Sequence, residues 1–408
     1  MLYKSVIGVL FQCFLVWWIS LERDDLDMII ETLSEIEKSV VNGNAPFINY
    51  QGESEEDLIN RIPTVRIIGV GGAGNNTVTY LNEVGIEHVE TIAVNTDAQQ
   101  LLRAKAHKKV LLGEKLCKGF GAGTDPKVGE AAALESKDKI RKILEGTDLL
   151  FITCGLGGGT GSGAAPVIAQ IARDMNILTV TICTLPFTVE GPKKMEIAAE
   201  ALKKLINISN TTIIIPNDKL LETLPKATLR AAFRAVDDVL VKALIGISDL
   251  TTKVGLVNLE FSDVARVLSA GGTAVIGIGE ASTEDENRAE KAVINALRNP
   301  LLDVPLETAR MALINITSGD DITMEETATV IDAVTRIMKN HEVVKWGIIL
   351  EDDMKGIIRA TIMMAGIELP YLDEEGNLIY PAIRRKSYKD DILRKIEEEF
   401  GMKLEVLE

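Results

Sequence analysis

The chain has 408 residues, a formal net charge of −16, 46% hydrophobic residues and 4% aromatic residues. This length accommodates two domains with tails. The acidic balance excludes a general nucleic-acid binder, because no basic face is present to neutralise a phosphate backbone, and the scarcity of aromatics excludes a base-stacking platform.

The run from Val6 to Ile19 is strongly apolar, preceded by Lys4 and followed by Glu22-Arg23-Asp24-Asp25. It is short for a membrane span, which needs about 20 residues, and no small-residue cleavage site follows it. The expected reading is that translation starts at Met28, so that residues 1–27 are not part of the protein; the alternative is a membrane anchor. From Met28, Ile29, Ile30, Leu33, Ile36 and Val40 recur at helical spacing, and the polar stretch Asn42 to Asn60 reads as a linker.

From Thr64 strands and helices alternate. Val65–Val70 reads as a strand, Asn75–Glu83 as a helix, Glu90–Val94 as a strand, Val110–Leu112 as a short strand and Gly129–Leu144 as one helix. Strand Leu149–Thr153 follows, then a glycine loop, helix Ala164–Ala172, strand Leu178–Cys183, helix Glu196–Asn207 and strand Thr211–Pro216. This rhythm predicts a parallel sheet covered on both faces. Thr228–Leu250 is a long helical stretch, read as a pillar between two domains. Beyond Gly255 come helix Ser262–Ser269, strand Thr273–Ile278, helix Glu284–Leu297 and strand Ala309–Thr317. Helix Thr323–Met338 and strands Val343–Leu350 and Gly356–Ala365 complete a smaller α/β domain with four strands. After Pro370 the chain is charged, with a last amphipathic segment Asp391–Phe400.

The cysteines are Cys13, Cys117, Cys154 and Cys183, with neither metal-ligand nor disulfide-framework spacing. Cys154 and Cys183 sit in apolar strand-like runs, where a buried thiol and a reducing cytoplasm are expected. His88, His107 and His341 are the only histidines, which leaves little for a histidine-based metal site or triad.

The most informative stretch is Gly155-Leu156-Gly157-Gly158-Gly159-Thr160-Gly161-Ser162-Gly163, set between an apolar strand and a helix. Amides of a loop stripped of side chains can surround an anion, and the helix behind adds unpaired N–H groups and the positive end of its dipole. The first strand–helix turn, Gly69-Val70-Gly71-Gly72-Ala73-Gly74, fits G-x-G-x-x-G, and Asp97 ends the second strand, as in a dinucleotide-binding enzyme. An NAD-linked oxidoreductase is therefore one reading. A further glycine cluster, Gly119-Phe120-Gly121-Ala122-Gly123, and the lack of a well-placed acid for hydride transfer weigh against it. No P-loop G-x-x-x-x-G-K-[ST] occurs, so the glycine loops suggest a mononucleotide held mainly by backbone amides.

Gly157 to Gly163 resembles the tubulin signature. The segments Gly69 to Asn76, Asn95-Thr96-Asp97-Ala98-Gln99, Pro216-Asn217-Asp218-Lys219-Leu220 and Gly255 to Val264 closely resemble the FtsZ family, the tubulin-like cell-division GTPases. The resemblance runs from about Thr64 to about Pro370 with all motifs in order. Ser162, where many members have Thr, and the N-terminal extension point to an archaeal member, the second of two paralogues. The implied fold is α/β, tubulin/FtsZ-like: a Rossmann-type parallel-sheet GTPase domain joined by a long central helix to a smaller α/β domain. Its parts would be an extension at 1–60, a GTP-binding domain at 61–227, the central helix at 228–250, the second domain with the catalytic loop at 251–370 and a charged tail at 371–408.

The resemblance implies GTP/GDP and Mg²⁺ as ligands, with the phosphates on Gly71, Gly72, Ala73, Gly121, Ala122, Gly123, Gly159, Thr160 and Gly161, and Asn95 facing the phosphate or its water. It places Asp238 and Asn76 against guanine, Phe233 on the face of the base, and Asn217 and Glu190 on the ribose side. Lys194 stands where the family usually has Arg, and supplies charge without a planar fork. Asn258, Glu260 and Asp263 would reach across a head-to-tail contact and complete the hydrolytic site of the next subunit; no side chain is assigned as a metal ligand. Glu260 stands where the family typically has Asp. The extra methylene moves the carboxylate by about 1 Å, and a shift of that size can cost on the order of 10²-fold in rate. The implied function is a GTP-hydrolysing cytoskeletal protein that polymerises into the filaments of the division ring, cytoplasmic and at mid-cell. The tail does not resemble the bacterial partner-binding peptide; Ile383-Arg384-Arg385-Lys386 and the Asp391–Phe400 helix would either dock a partner, such as a membrane-anchoring adaptor, or stand solvated. The alternatives are the NAD-linked oxidoreductase and an assembling GTP-binding module that hydrolyses little.

Overall fold

Apolar runs such as Leu149-Leu150-Phe151-Ile152 are buried on both sides in a computed structural model, as strands sandwiched between helices must be. The structure describes residues 63–86, 89–219, 228–252, 255–269, 271–285, 287–297, 304–369, 372–373 and 378. The expected helices at 28–40 and 391–400, the apolar run at 6–19, the linker and the tail lie outside them.

The first half runs β1 (Val65–Val70), α1 (Gly71–Val84), β2 (Val89–Asn95), α2 (Ala98–Arg103), β3 (Lys108–Leu111), α3 (Pro126–Glu135) and α4 (Lys137–Leu144). It continues with β4 (Leu149–Gly155), α5 (Gly159–Asp174), β5 (Leu178–Leu185), α6 (Pro192–Ile208) and β6 (Thr211–Pro216). The long helix α7 (Leu229–Thr252) leads to α8 (Phe261–Leu268), β7 (Thr273–Ser282), α9 (Arg288–Leu297), β8 (Met311–Ser318), α10 (Met324–Ile337), β9 (Val343–Leu350) and β10 (Ile357–Ala365).

These strands form one sheet in the order β3-β2-β1-β4-β5-β6-β7-β10-β8-β9. Strands β1 to β6 are all parallel, and β10 runs antiparallel between β7 and β8. The two halves join where β6 pairs with β7 over Thr212–Thr273 and Ile213–Ala274. Alternate residues of each strand feed opposite faces. Ile67, Phe151, Val180 and Ile213 pack with α1, α7 and α8, while Ile68, Ile152, Cys183 and Ile214 pack under α3, α5 and α6. The thiols of Cys154 and Cys183 are buried as expected, and burial pushes the Cys154 thiol up to about 12.

Several elements depart from the periodicity: α2 has no counterpart among the expected helices, α1 begins at Gly71 rather than Asn75, and two further departures have a packing cause. The stretch Gly129–Leu144 is two helices that break at Ser136, whose hydroxyl accepts the buried Gly113 N–H at 3.0 Å. Helix α5 begins at Gly159, inside the glycine stretch expected to be loop. A residue at Gly161 would place its Cβ 2.2 Å from the Gly155 carbonyl, and one at Gly163 2.1 Å from that of Pro126. These glycines therefore serve tight backbone packing around the helix start, a role propensity does not register.

Candidate functional site

The sheet order reverses between β1 and β4: the chain leaves β1 toward β2 on one side and β4 continues toward β5 on the other. Such a switch point opens a crevice at the carboxyl ends of the strands. A cleft of about 450 Å³ lies there. Two helices start at its floor, α1 after Val70 and α5 after Gly158, and neither start has a side-chain cap. Their first N–H groups are thus left for an anion, with both helix dipoles directed at it.

Of the sequence-derived phosphate residues, Gly72, Ala73, Asn95, Gly121, Ala122, Gly123, Gly159, Thr160 and Gly161 line the cleft. Gly71 forms the first residue of α1, with a φ of +73° that favours glycine. The Thr160 and Thr96 hydroxyls meet at 2.7 Å, linking the start of α5 to the loop after β2. Asn95 is held by the buried Asn75 amide, whose nitrogen is turned to the Gly69 and Val94 carbonyls while its oxygen accepts from Asn95 Nδ2 at 3.0 Å. Ser162 accepts the Gly157 N–H at 2.8 Å and so shapes the glycine loop.

Asn76, Glu190 and Asn217 also line the cleft. Asn217 is buried, and its Oδ1 has no hydrogen-bond partner among the described residues. A buried acceptor of this kind fits a ligand hydroxyl. Glu190 accepts the Phe187 N–H at 2.9 Å and pairs with Lys194 at 2.7 Å. Lys194 itself does not line the cleft.

Asp238 is not among the lining residues: its carboxylate accepts from the Tyr80 hydroxyl at 3.1 Å and pairs with Lys242 at 2.9 Å. Tyr80 lies one turn beyond Asn76 on α1, so Asp238 sits just past the Asn76 edge of the cleft. Its neighbour Asp237 lines the cleft instead, a residue the sequence reading did not select. The adjacent acidic pair was the available signal. Burial pushes the Asp237 carboxyl up to about 6, opposed by the Thr77 hydrogen bond and by Arg234. The side chain of Phe233 lies outside the described residues. Gln100, also on the cleft, accepts from Asn95 Nδ2 at 3.4 Å.

Asn258, Glu260 and Asp263 do not line the cleft. Asn258 and Glu260 are exposed while Leu259 between them packs against the core, so the two polar side chains do share a side. Asn258 accepts the Gly255 N–H at 2.6 Å, and Glu260 stands at the N-cap of α8 without a side-chain cap bond. Asp263, in the first turn of α8, pairs with Lys345 at 2.7 Å.

Comparison with known proteins agrees with this architecture. Residues 64–225 match the Tubulin/FtsZ family, GTPase domain, and residues 272–368 match the FtsZ family, C-terminal domain. The chain is 48% identical over 354 residues to "Cell division protein FtsZ 1" of Pyrococcus furiosus, covering 86% of this chain and 93% of the relative. It is 44% identical to "Cell division protein FtsZ" of Methanothermobacter thermautotrophicus, covering 85% and 91%. The solved "FtsZ dimer, empty" from M. jannaschii superposes with a TM-score of 0.70 at 44% identity, over 76% of this chain and 92% of that one. Several of the archaeal relatives are named FtsZ 1, which runs against the expectation of a second paralogue.

Fold and cleft together define a tubulin-like GTPase that binds GTP and GDP, and the NAD-linked reading falls away. The chain belongs to the FtsZ family of cell-division proteins, of archaeal type.

Proposed function

We propose that the chain assembles head-to-tail into the filaments of a division ring at mid-cell, and that each GTP is hydrolysed at the contact between two subunits. The observation that carries this reading is the distance between the two halves of the machinery. Asp237 and Leu240 of α7 line the cleft, whereas the loop with Asn258, Glu260 and Asp263 begins only after Thr252. At about 1.5 Å per residue, the helix carries that loop on the order of 20 Å from its own cleft. One subunit then holds a nucleotide but only half a hydrolytic site. The solved relatives include an FtsZ dimer from M. jannaschii, and a CetZ2 protofilament from Haloferax volcanii shares the fold at 20% identity.

In this reading the amides at the starts of α1 and α5 and in the Gly121–Gly123 turn hold the phosphates, and Asn217 takes a ribose hydroxyl. Asp238, Asn76 and Phe233 select guanine, Glu190 stands on the ribose side, and Lys194 steadies Glu190. In trans, Asn258, Glu260 and Asp263 orient and polarise the attacking water. Among the described residues no cluster of three or more His, Cys, Asp or Glu could hold a metal ion by itself. The oxygen donors on the cleft, Asp97, Gln100 and Thr160, suit Mg²⁺ that arrives on the triphosphate, since this ion is held largely by substrate phosphates. When bound, Mg²⁺ would neutralise charge on the transferring phosphoryl group. A membrane adaptor at the tail belongs to the same proposal.

Turnover measured over a range of protein concentrations tests this reading. Activity per subunit is expected to rise steeply with concentration, and Asp263→Ala to keep GTP binding while losing turnover. Mixing Asp263→Ala with the parent should depress activity by more than dilution, because each variant subunit disables its neighbour's nucleotide. Constant turnover per subunit at concentrations without assembly would sink the interfacial mechanism.

A further inference from the structure

We infer that Lys345 is the positioning residue of the hydrolytic loop. This inference rests on the reading of Asp263 as a residue that acts on the neighbouring subunit's water. Strand β9 is the scaffold on which that loop is laid. Val257 and Ile348 form an antiparallel bridge, with Ile348 N–H donating to the Val257 carbonyl at 3.1 Å and Val257 N–H donating back at 3.4 Å.

Successive residues of a strand point to opposite faces. Val344, Trp346 and Ile348 pack into the core on one side, whereas Val343 joins Leu259 and Phe261 on the other. Lys345 and Gly347 share this second face. At Gly347 a Cβ would stand 3.1 Å from the Val257 carbonyl and 3.3 Å from Leu259, so the bare position lets Leu259 settle against the strand. Two residues earlier, Lys345 Nζ reaches Asp263 Oδ1 at 2.7 Å.

The pair is only about one-third exposed on each side, 33% for Lys345 and 29% for Asp263. It is therefore less screened than an ion pair in open water. The ammonium reaches the carboxylate at Oδ1 and so restricts where the side chain can point. It also offsets part of the repulsion that Glu260 and Asp263 would meet on approaching a triphosphate. Bridge, bare glycine and ion pair are three independent ties from one strand to one loop, and only the ion pair touches a reacting side chain.

The test compares Lys345→Met, Lys345→Gln and Lys345→Arg in the full chain, each also combined with Asp263→Ala. In the assembled protein, Lys345→Met and Lys345→Gln should lower kcat by roughly tenfold to a hundredfold, the scale of a misplaced catalytic group. KM and the GTP affinity of dilute subunits should stay within twofold of the parent, which also reports folding. Lys345→Arg should restore most of the rate, and in the Asp263→Ala background no Lys345 substitution should lower turnover further. Parent-like kcat in both neutral variants overturns the assignment, as does an equal loss in Lys345→Arg. If Asp263→Ala itself turns over like the parent, the interfacial reading fails; if it is inactive while Lys345→Gln is fast, only the role of Lys345 falls.

Discussion

The Thr77 hydroxyl donates to the Asp237 carboxylate at 2.9 Å, joining the helix behind the first glycine turn to the long helix α7 at the wall of the cleft. Asp238, next along α7, is turned by about 100° and meets Tyr80 and Lys242 instead. Two consecutive carboxylates therefore occupy different surroundings, and substitutions at each should read out differently.

The proposed reading gives base choice to Asp238, which lies just outside the lining of the cleft. On that reading, replacing it with Asn exchanges an acceptor for a donor opposite guanine N1 and N2, so Asp238→Asn should weaken GTP binding by about 1–3 kcal/mol, the cost of a mismatched hydrogen-bond pair. Competition binding of GTP against ATP checks this. If Asp237→Asn loses the discrimination and Asp238→Asn keeps it, the base contact belongs to Asp237.

Asp237 should show itself in the pH dependence of stability. Burial holds its proton up to about pH 6 in the folded protein, against an ordinary value of 3.8. Between those values the folded state binds more protons than the unfolded chain, so this contribution falls as pH rises. It is complete below the ordinary value and lost as pH climbs through 6. Urea unfolding at pH values on either side of this window should show the slope in the parent and a flatter one in Asp237→Asn. An unchanged slope would remove Asp237 as its source.

Strand and helix order was legible because buried parallel strands and amphipathic helices leave distinct periodicities, and nearly every element lies where its pattern put it. What was not legible depends on contacts between distant segments. The break at Ser136 is set by the Gly113 N–H, and the early start of α5 by carbonyls pressing on Gly161 and Gly163. The glycine loops announced the cleft they line, since a strand–helix turn stripped of side chains leaves backbone amides open to it. The acidic pair Asp237-Asp238 did not say which carboxylate faces inward, because that depends on the rotation of α7 against α1. Lys345 gave no signal, as its partner Asp263 lies far away in the chain.

Glu260 is exposed at the N-cap of α8, and its carboxylate accepts from the Ser262 hydroxyl at 3.2 Å. If its extra methylene misplaces the acid, Glu260→Asp should raise kcat severalfold, with an upper bound on the order of 10²-fold, and leave KM unchanged. Steady-state turnover of fully assembled protein decides the point. A slower Glu260→Asp enzyme would show that the neighbouring surface is fitted to the longer side chain.

The 24 residues of α7 extend for about 36 Å as one uninterrupted rod. A rod has phase as well as length. One residue inserted between the cleft and the loop would advance everything beyond it by about 1.5 Å and rotate it by about 100°. Substitutions on α7 can thus be absorbed locally, whereas an insertion or deletion changes the spacing and angle between the two ends of the molecule at once. In any assembly that brings one subunit's loop to the next subunit's cleft, α7 acts as a gauge, and its residue count is inherited by the axial repeat of the polymer.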